Sequence, residues 1–104
     1  MFRFSALTFN SHRIHYDRRY AVEQEGYPGL VVHGPLIAIL LTDLMRRHLP
    51  DINITGFSFK AVKPLYDIDH FVVSGRMEQG EKISHLWASD PQGYLAMDAT
   101  ATFA

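Results

Sequence analysis

The longest run of apolar positions covers residues 29–41 and is interrupted only by His33. From Pro35 to about Leu49 the pattern predicts a helix. Proline suits a first helical turn, where its missing N–H would have no intrahelical partner. Arg46, Arg47 and His48 complement the negative end of the helix, and Pro50 stops it. Leu36, Ile37, Ile39, Leu40, Leu41, Leu44 and Met45 place apolar groups around nearly the whole circumference, so this helix is expected to be enclosed. The second half of the chain alternates instead. Residues 52–62, 69–78, 82–89 and 94–103 each predict a strand, for example through Leu95, Met97, Ala99 and Ala101. Residues 79–81 and 90–93 read as hairpin connections, and 63–67 as a bend in which Pro64 ends a ladder. Before the helix, residues 2–9 suit a short extended segment, 10–17 a polar loop, and 17–24 a short helix ended by the turn cluster 26–29. The expected class is α+β: one domain over residues 1–104, with a curved antiparallel sheet around a central buried helix.

Composition narrows the function. A chain of 104 residues, 47% apolar, can bury roughly 60–70% of its unfolded surface in one core without staples. Ten basic residues against eleven acidic ones give a net charge of -1. The basic residues are scattered, with no stripe for nucleic acid or a membrane surface. Zero cysteines remove disulfides, thiolate metal sites and cysteine nucleophiles, and are compatible with a reducing compartment. The apolar run falls short of the roughly 20 residues a membrane span needs. Met1 leads directly into Phe2-Arg3-Phe4-Ser5 without the long apolar run of a secretory signal. A cytoplasmic location is expected.

Two places concentrate chemistry. Asn10-Ser11-His12-Arg13-Ile14-His15-Tyr16-Asp17 puts an amide, two imidazoles, a guanidinium, a phenol and a carboxylate on one loop, enough for proton transfer if the loop faces a cleft. His12 and His15 lack a paired third ligand, so no metal site is expected. The second place is His33-Gly34-Pro35 at the start of the long helix. The first N–H groups of a helix have no intrahelical partners and carry its positive end. Gly34 is therefore either an oxyanion donor or simply part of a helix cap, with His33 a packed side chain.

The residues Phe4-Ser5-Ala6-Leu7-Thr8-Phe9-Asn10-Ser11-His12-Arg13-Ile14-His15-Tyr16-Asp17, followed by Glu25-Gly26-Tyr27-Pro28-Gly29-Leu30-Val31-Val32-His33-Gly34-Pro35-Leu36, resemble the MaoC-like hydratases of the hotdog fold. Among these, the mesaconyl-CoA and itaconyl-CoA hydratase branch is most similar. Phe59-Lys60-Ala61-Val62-Lys63-Pro64-Leu65 is similar to the family's strand and bend, so the resemblance covers most of the chain. It implies a hotdog fold and reversible hydration of a 2-enoyl-CoA, with CoA as part of the substrate and no separate cofactor. It implies His15 as general base, Asn10 in place of the wider family's Asp, and Gly34 as the backbone donor to the thioester oxygen. His12, Arg13, His33 and Pro35 are expected to contact substrate, and Arg13, Arg18 or Arg19 to pair with a second acyl carboxylate. Two hotdog units form such a site, so a homodimer or higher homo-oligomer is expected. Because the motif begins almost at Met1, the chain is expected to correspond to the catalytic C-terminal half of a two-hotdog hydratase. The rival expectations are a hotdog acyl-CoA thioesterase and a non-catalytic acyl-binding subunit.

Overall fold

A computed structural model describes residues 1–78 and 80–104. Gln79, the first residue of the expected turn at 79–81, lies outside the described residues. Helix α1 (Phe2–Leu7) is followed by a single 3-10 turn (Arg13–His15), helix α2 (Arg18–Glu23) and the long helix α3 (Gly34–His48). Strands β1 (Ile54–Ala61), β2 (Val72–Met77), β3 (Ile83–Ser89) and β4 (Leu95–Phe103) complete the chain. They form one antiparallel sheet in the order β1-β4-β3-β2. Each strand lies within its expected span.

The core lies between α3 and the inner face of the sheet. Ile37, Ala38, Leu41 and Met45 point from the helix onto Leu86, Ala88, Met97, Ala99 and Ala101. Three of those five sheet residues are alanine, which lets the helix sit close to the strands. Leu41 is fully buried, so Leu41→Ala there is worth about 2–5 kcal/mol. The expectation that α3 is enclosed on all sides needs correction. Ile39 remains 53% exposed, because this sheet covers only one side of the helix.

β1 supplies part of the reason. Phe57, Phe59 and Ala61 stand opposite Ala101, Ala99 and Met97, which puts them on the inner face. Yet α3 packs chiefly against β2, β3 and β4. Phe59 is left 47% exposed on an apolar shelf beside the helix.

Residues 2–9 also need correction, because they begin with a helix rather than an extended segment. Among the described residues no strand pairs with them to take up extended backbone groups, whereas a helix satisfies these locally. The helix turns Ser5 and Phe4 toward His33. It ends with Asn10 N–H donating to the Ser5 carbonyl at 2.8 Å and Phe9 N–H to that of Ala6 at 3.3 Å. This is the Schellman pattern, which places its penultimate residue in the left-handed region where glycine is usual. Here that residue is Phe9, with φ 55° and 95% exposure. Phe9→Gly should therefore raise the stability of the isolated chain by about 0.5–1 kcal/mol in urea denaturation; a loss would mean that the ring is covered in solution.

Candidate active site

The site is assembled around residues 30–32. Val31 N–H donates to the Ile14 carbonyl at 2.9 Å, and Val32 N–H to that of Leu65 at 2.9 Å. Leu30 N–H reaches the Asp67 carboxylate, which Arg18 also holds through two hydrogen bonds. This strap is thus pinned to the 3-10 turn on one side and to the bend after β1 on the other. His33 follows as the N-cap of α3, with φ -61° and ψ 130°, and Gly34 opens the helix.

His15 is fixed by the same strap. Its Nδ1 lies 2.6 Å from the Val31 carbonyl oxygen. A carbonyl only accepts, so Nδ1 carries the proton and Nε2 is left with a lone pair. His15 and Gly34 line one cavity of about 340 Å³, walled by Ile37, Val62, Leu65 and Met97 among others. A Cβ added at Gly34 would lie 3.8 Å from Met97 Cε. Glycine therefore leaves room here rather than relieving a clash. A proton acceptor and the unpartnered N–H end of a 15-residue helix thus border the same largely apolar space, a combination suited to removing a proton from water while negative charge grows on a nearby oxygen.

The other expected residues are placed elsewhere. Asn10 lines a separate surface depression with Phe2, Phe9 and Tyr16. Its Oδ1 accepts the His12 N–H at 3.0 Å, so it shapes the turn that delivers His15. His12 is exposed, with its ring centroid 5.7 Å from that of His15. Arg13 points outward: it pairs with Asp17 at 2.9 Å and lies over the Tyr20 ring. Arg18 and Arg19 are engaged by Asp67 and Glu23. Each of the three arginines expected to meet an acyl carboxylate therefore already has a carboxylate partner in this chain. Pro35 is exposed beside the cavity and does not line it.

His33 is the packed side chain of the second alternative and not the expected substrate contact. It is 1% exposed and faces neither solvent nor the cavity. Its ring stacks on His15 with centroids 4.0 Å apart and planes 18° from parallel. Its Nε2 lies 2.7 Å from Ser5 Oγ, and its buried Nδ1 has no partner. Burial, then the neighbouring His15 and the chain's amino terminus, push its pKa down to about 4. The ring is neutral at ordinary pH.

Sequence reasoning missed Ser5 and Lys63. Lys63 borders the cavity, with its ammonium on the buried carboxylate of Asp90. Ser5 gives no local signal, because its partner lies 28 positions away. Lys63 was visible only as part of the motif around the bend. Among the described residues no group of three or more His, Asp or Glu side chains is arranged to hold a metal. None of the described helices is long and apolar enough to cross a membrane.

The neutrality of His33 has a pH signature. Between about pH 6.5 and 4 the unfolded chain binds a proton at residue 33 that the folded chain refuses, so the folded state loses stability as pH falls through that window. The loss is on the order of 3 kcal/mol. Asp17, Asp67 and Asp90 are held below their ordinary value of 3.8 by hydrogen bonds from backbone amides and cations, and their losses come at lower pH. Urea denaturation from pH 7 to 4 should show the decline in the wild type and a flatter profile in His33→Phe. Identical slopes would show that residue 33 titrates normally in the folded protein.

Comparison with known proteins identifies the family and the fold. Residues 1–67 match the hydroxyacyl-thioester dehydratase type 2 family. Over 100 residues, 96% of its length, the chain is 55% identical to the mesaconyl-C(4)-CoA hydratase of Chloroflexus aurantiacus, covering 35% of that protein. Over 68 residues, 64% of its length, it is 38% identical to the mitochondrial hydroxyacyl-thioester dehydratase type 2 of Schizosaccharomyces pombe, covering 23% of it. The chain therefore spans about a third or less of the length of these curated relatives. Its fold matches the (R)-hydratase from A. caviae involved in PHA biosynthesis with a TM-score of 0.82 at 22% identity, over 97% of this chain and 81% of that one. The helix and sheet are those of a hotdog fold, and by sequence the chain belongs to the hydroxyacyl-thioester dehydratase type 2 family.

Proposed function

We propose that this chain adds water reversibly across the double bond of a 2-enoyl-CoA thioester, with a branched dicarboxylic acyl group of the mesaconyl or itaconyl type as its substrate. One observation carries this reading: His15, whose Nδ1 is held by the Val31 carbonyl, and Gly34, the first residue of α3, line a single largely apolar cavity. His15 Nε2 takes a proton from water, and the hydroxide bonds to the β-carbon. The displaced π electrons move onto the thioester oxygen as an enolate, held by the Gly34 N–H and the positive end of α3. Protonated His15 then returns its proton to the α-carbon, so that H and OH have been added and the base is restored. Asn10 serves as a brace for the turn through its bond to His12 N–H, and an Asp at this position would accept the same bond. The 55% identity to a mesaconyl-C(4)-CoA hydratase supports the choice of acyl group. CoA arrives with the acyl group, no separate cofactor takes part, and the reaction belongs in the cytoplasm.

The site is completed by a second copy in this reading. Ile39 on α3 and Phe59 on the inner face of β1 leave apolar surface open, and a pantetheine arm needs a wall there to be sheltered from water. Light scattering should therefore give a mass of about twice the chain's 11.9 kDa or a higher multiple; a stable monomer would count against a homodimeric site.

Activity is read from the conjugated absorbance of mesaconyl-CoA and crotonyl-CoA. The purified chain should bleach it without releasing free thiol, whereas thiol release would mark a thioesterase. His15→Ala should lower kcat by about 10²–10⁴-fold. Gly34→Pro removes one backbone donor at a position where proline is favoured and where the extended His33 backbone tolerates it; the expected loss is about 10²–10³-fold. A folded wild-type chain that leaves a panel of enoyl thioesters unchanged would overturn the hydratase reading.

A further inference from the structure

His33 has no part in the reaction as written, yet three components of the site meet at it. Its ring lies flat on the ring of His15. Its Nε2 is tied to Ser5 of α1, and the edge of its ring meets Phe4. Its own backbone is the N-cap of α3, accepting the Ile37 N–H at 3.1 Å immediately before Gly34. We propose that His33, anchored by Ser5, is a positioning residue that holds the His15 ring and the Gly34 N–H in one fixed relation, and that it does not contact substrate. This rests on the roles given to His15 and Gly34 above.

One feature of the cluster calls for an imidazole rather than an apolar ring, and a second lets an imidazole serve there. A stacked pair with no other tether is free to slide and rotate, but a hydrogen bond on one ring fixes its rotation about Cβ–Cγ and so presents a fixed face to the other. His15 is itself held at one edge only, by the Val31 carbonyl. The stack on His33 is the second restraint that sets its plane, and hence the direction in which Nε2 points. Burial keeps the His33 ring uncharged, so when His15 takes up its proton the imidazolium faces a neutral ring rather than a like charge. A base and an oxyanion donor that approach opposite ends of one acyl group must keep their spacing, and a misplacement of about 1 Å is enough to cost about 100-fold in rate.

The test combines kinetics with a measurement that needs no substrate. In His33→Ala, kcat should fall about 10–100-fold with KM nearly unchanged. In the same variant the ¹⁵N spectrum of His15 should change from the single Nδ1–H tautomer to a mixture. His33→Phe keeps the stack and Ser5→Ala keeps the ring; each loses only the tether and should fall between wild type and His33→Ala in both readouts. If His33→Ala does not fold, these two variants decide the matter. Unchanged kcat and an unchanged His15 spectrum in folded variants would overturn the proposal, as would a rise in KM alone, which would mark a substrate contact. Should the wild type hydrate no enoyl-CoA, the functional reading fails by itself, while the tautomer of His15 still shows whether the ring pair is coupled.

Discussion

Val31 is bonded at both ends of its peptide unit to the turn that carries the candidate base: its N–H to the Ile14 carbonyl and its carbonyl to His15 Nδ1. The first bond brings the 3-10 turn against the strap ahead of α3, and the second selects the tautomer of the imidazole. Neither is available to a free loop of the same sequence, because the strap is itself held by Leu65 and Asp67 from beyond β1. The chemistry of residue 15 therefore depends on a sheet that begins nearly forty positions later in the chain. Without that long-range closure, the polar segment 10–17 would be a solvated stretch in which either ring nitrogen could carry the proton.

Legibility followed the range of the interactions. Helix α3 was readable because its start, its stop and its apolar content are all local: Pro35, the basic triplet 46–48 and Pro50 lie within one segment. The four strands were readable from spacing alone, as at Leu86 and Ala88 or Met97, Ala99 and Ala101, whose alternation is borne out by burial. Helix α1 was not. Over six residues the spacing of Phe2 and Phe4 fits a strand, and only the absence of a neighbouring strand and the presence of His33 decide otherwise. In the candidate site, His15 and Gly34 were singled out because a motif marks them, and they line one cavity. The ring pair of His15 and His33 with Ser5 was invisible because nothing in local spacing reports a stack across 18 positions or a hydrogen bond across 28. The arginines were misplaced for a related reason, since partners four residues away such as Asp17 and Glu23 compete for them before any ligand does.

The circumference of α3 joins these observations. Its sequence is apolar on nearly every side, yet the sheet of this chain covers only one. The uncovered side of the helix and the inner shelf at Phe59 are both exposed, while Gly34 and Ile37 border the cavity at its N-terminal end. In the proposed dimer, an arrangement that buried this surface would also close the cavity, so that association and the exclusion of water would come from the same contact.

The strand order β1-β4-β3-β2 leaves two outer edges, neither with a strand partner among the described residues. Unpaired backbone groups of this kind template lateral pairing with other chains. Charge opposes it here, with exposed Lys60 on one border and Arg76 on the other. Colloidal behaviour should thus follow ionic strength, since salt screens these two gatekeepers before it touches the interior.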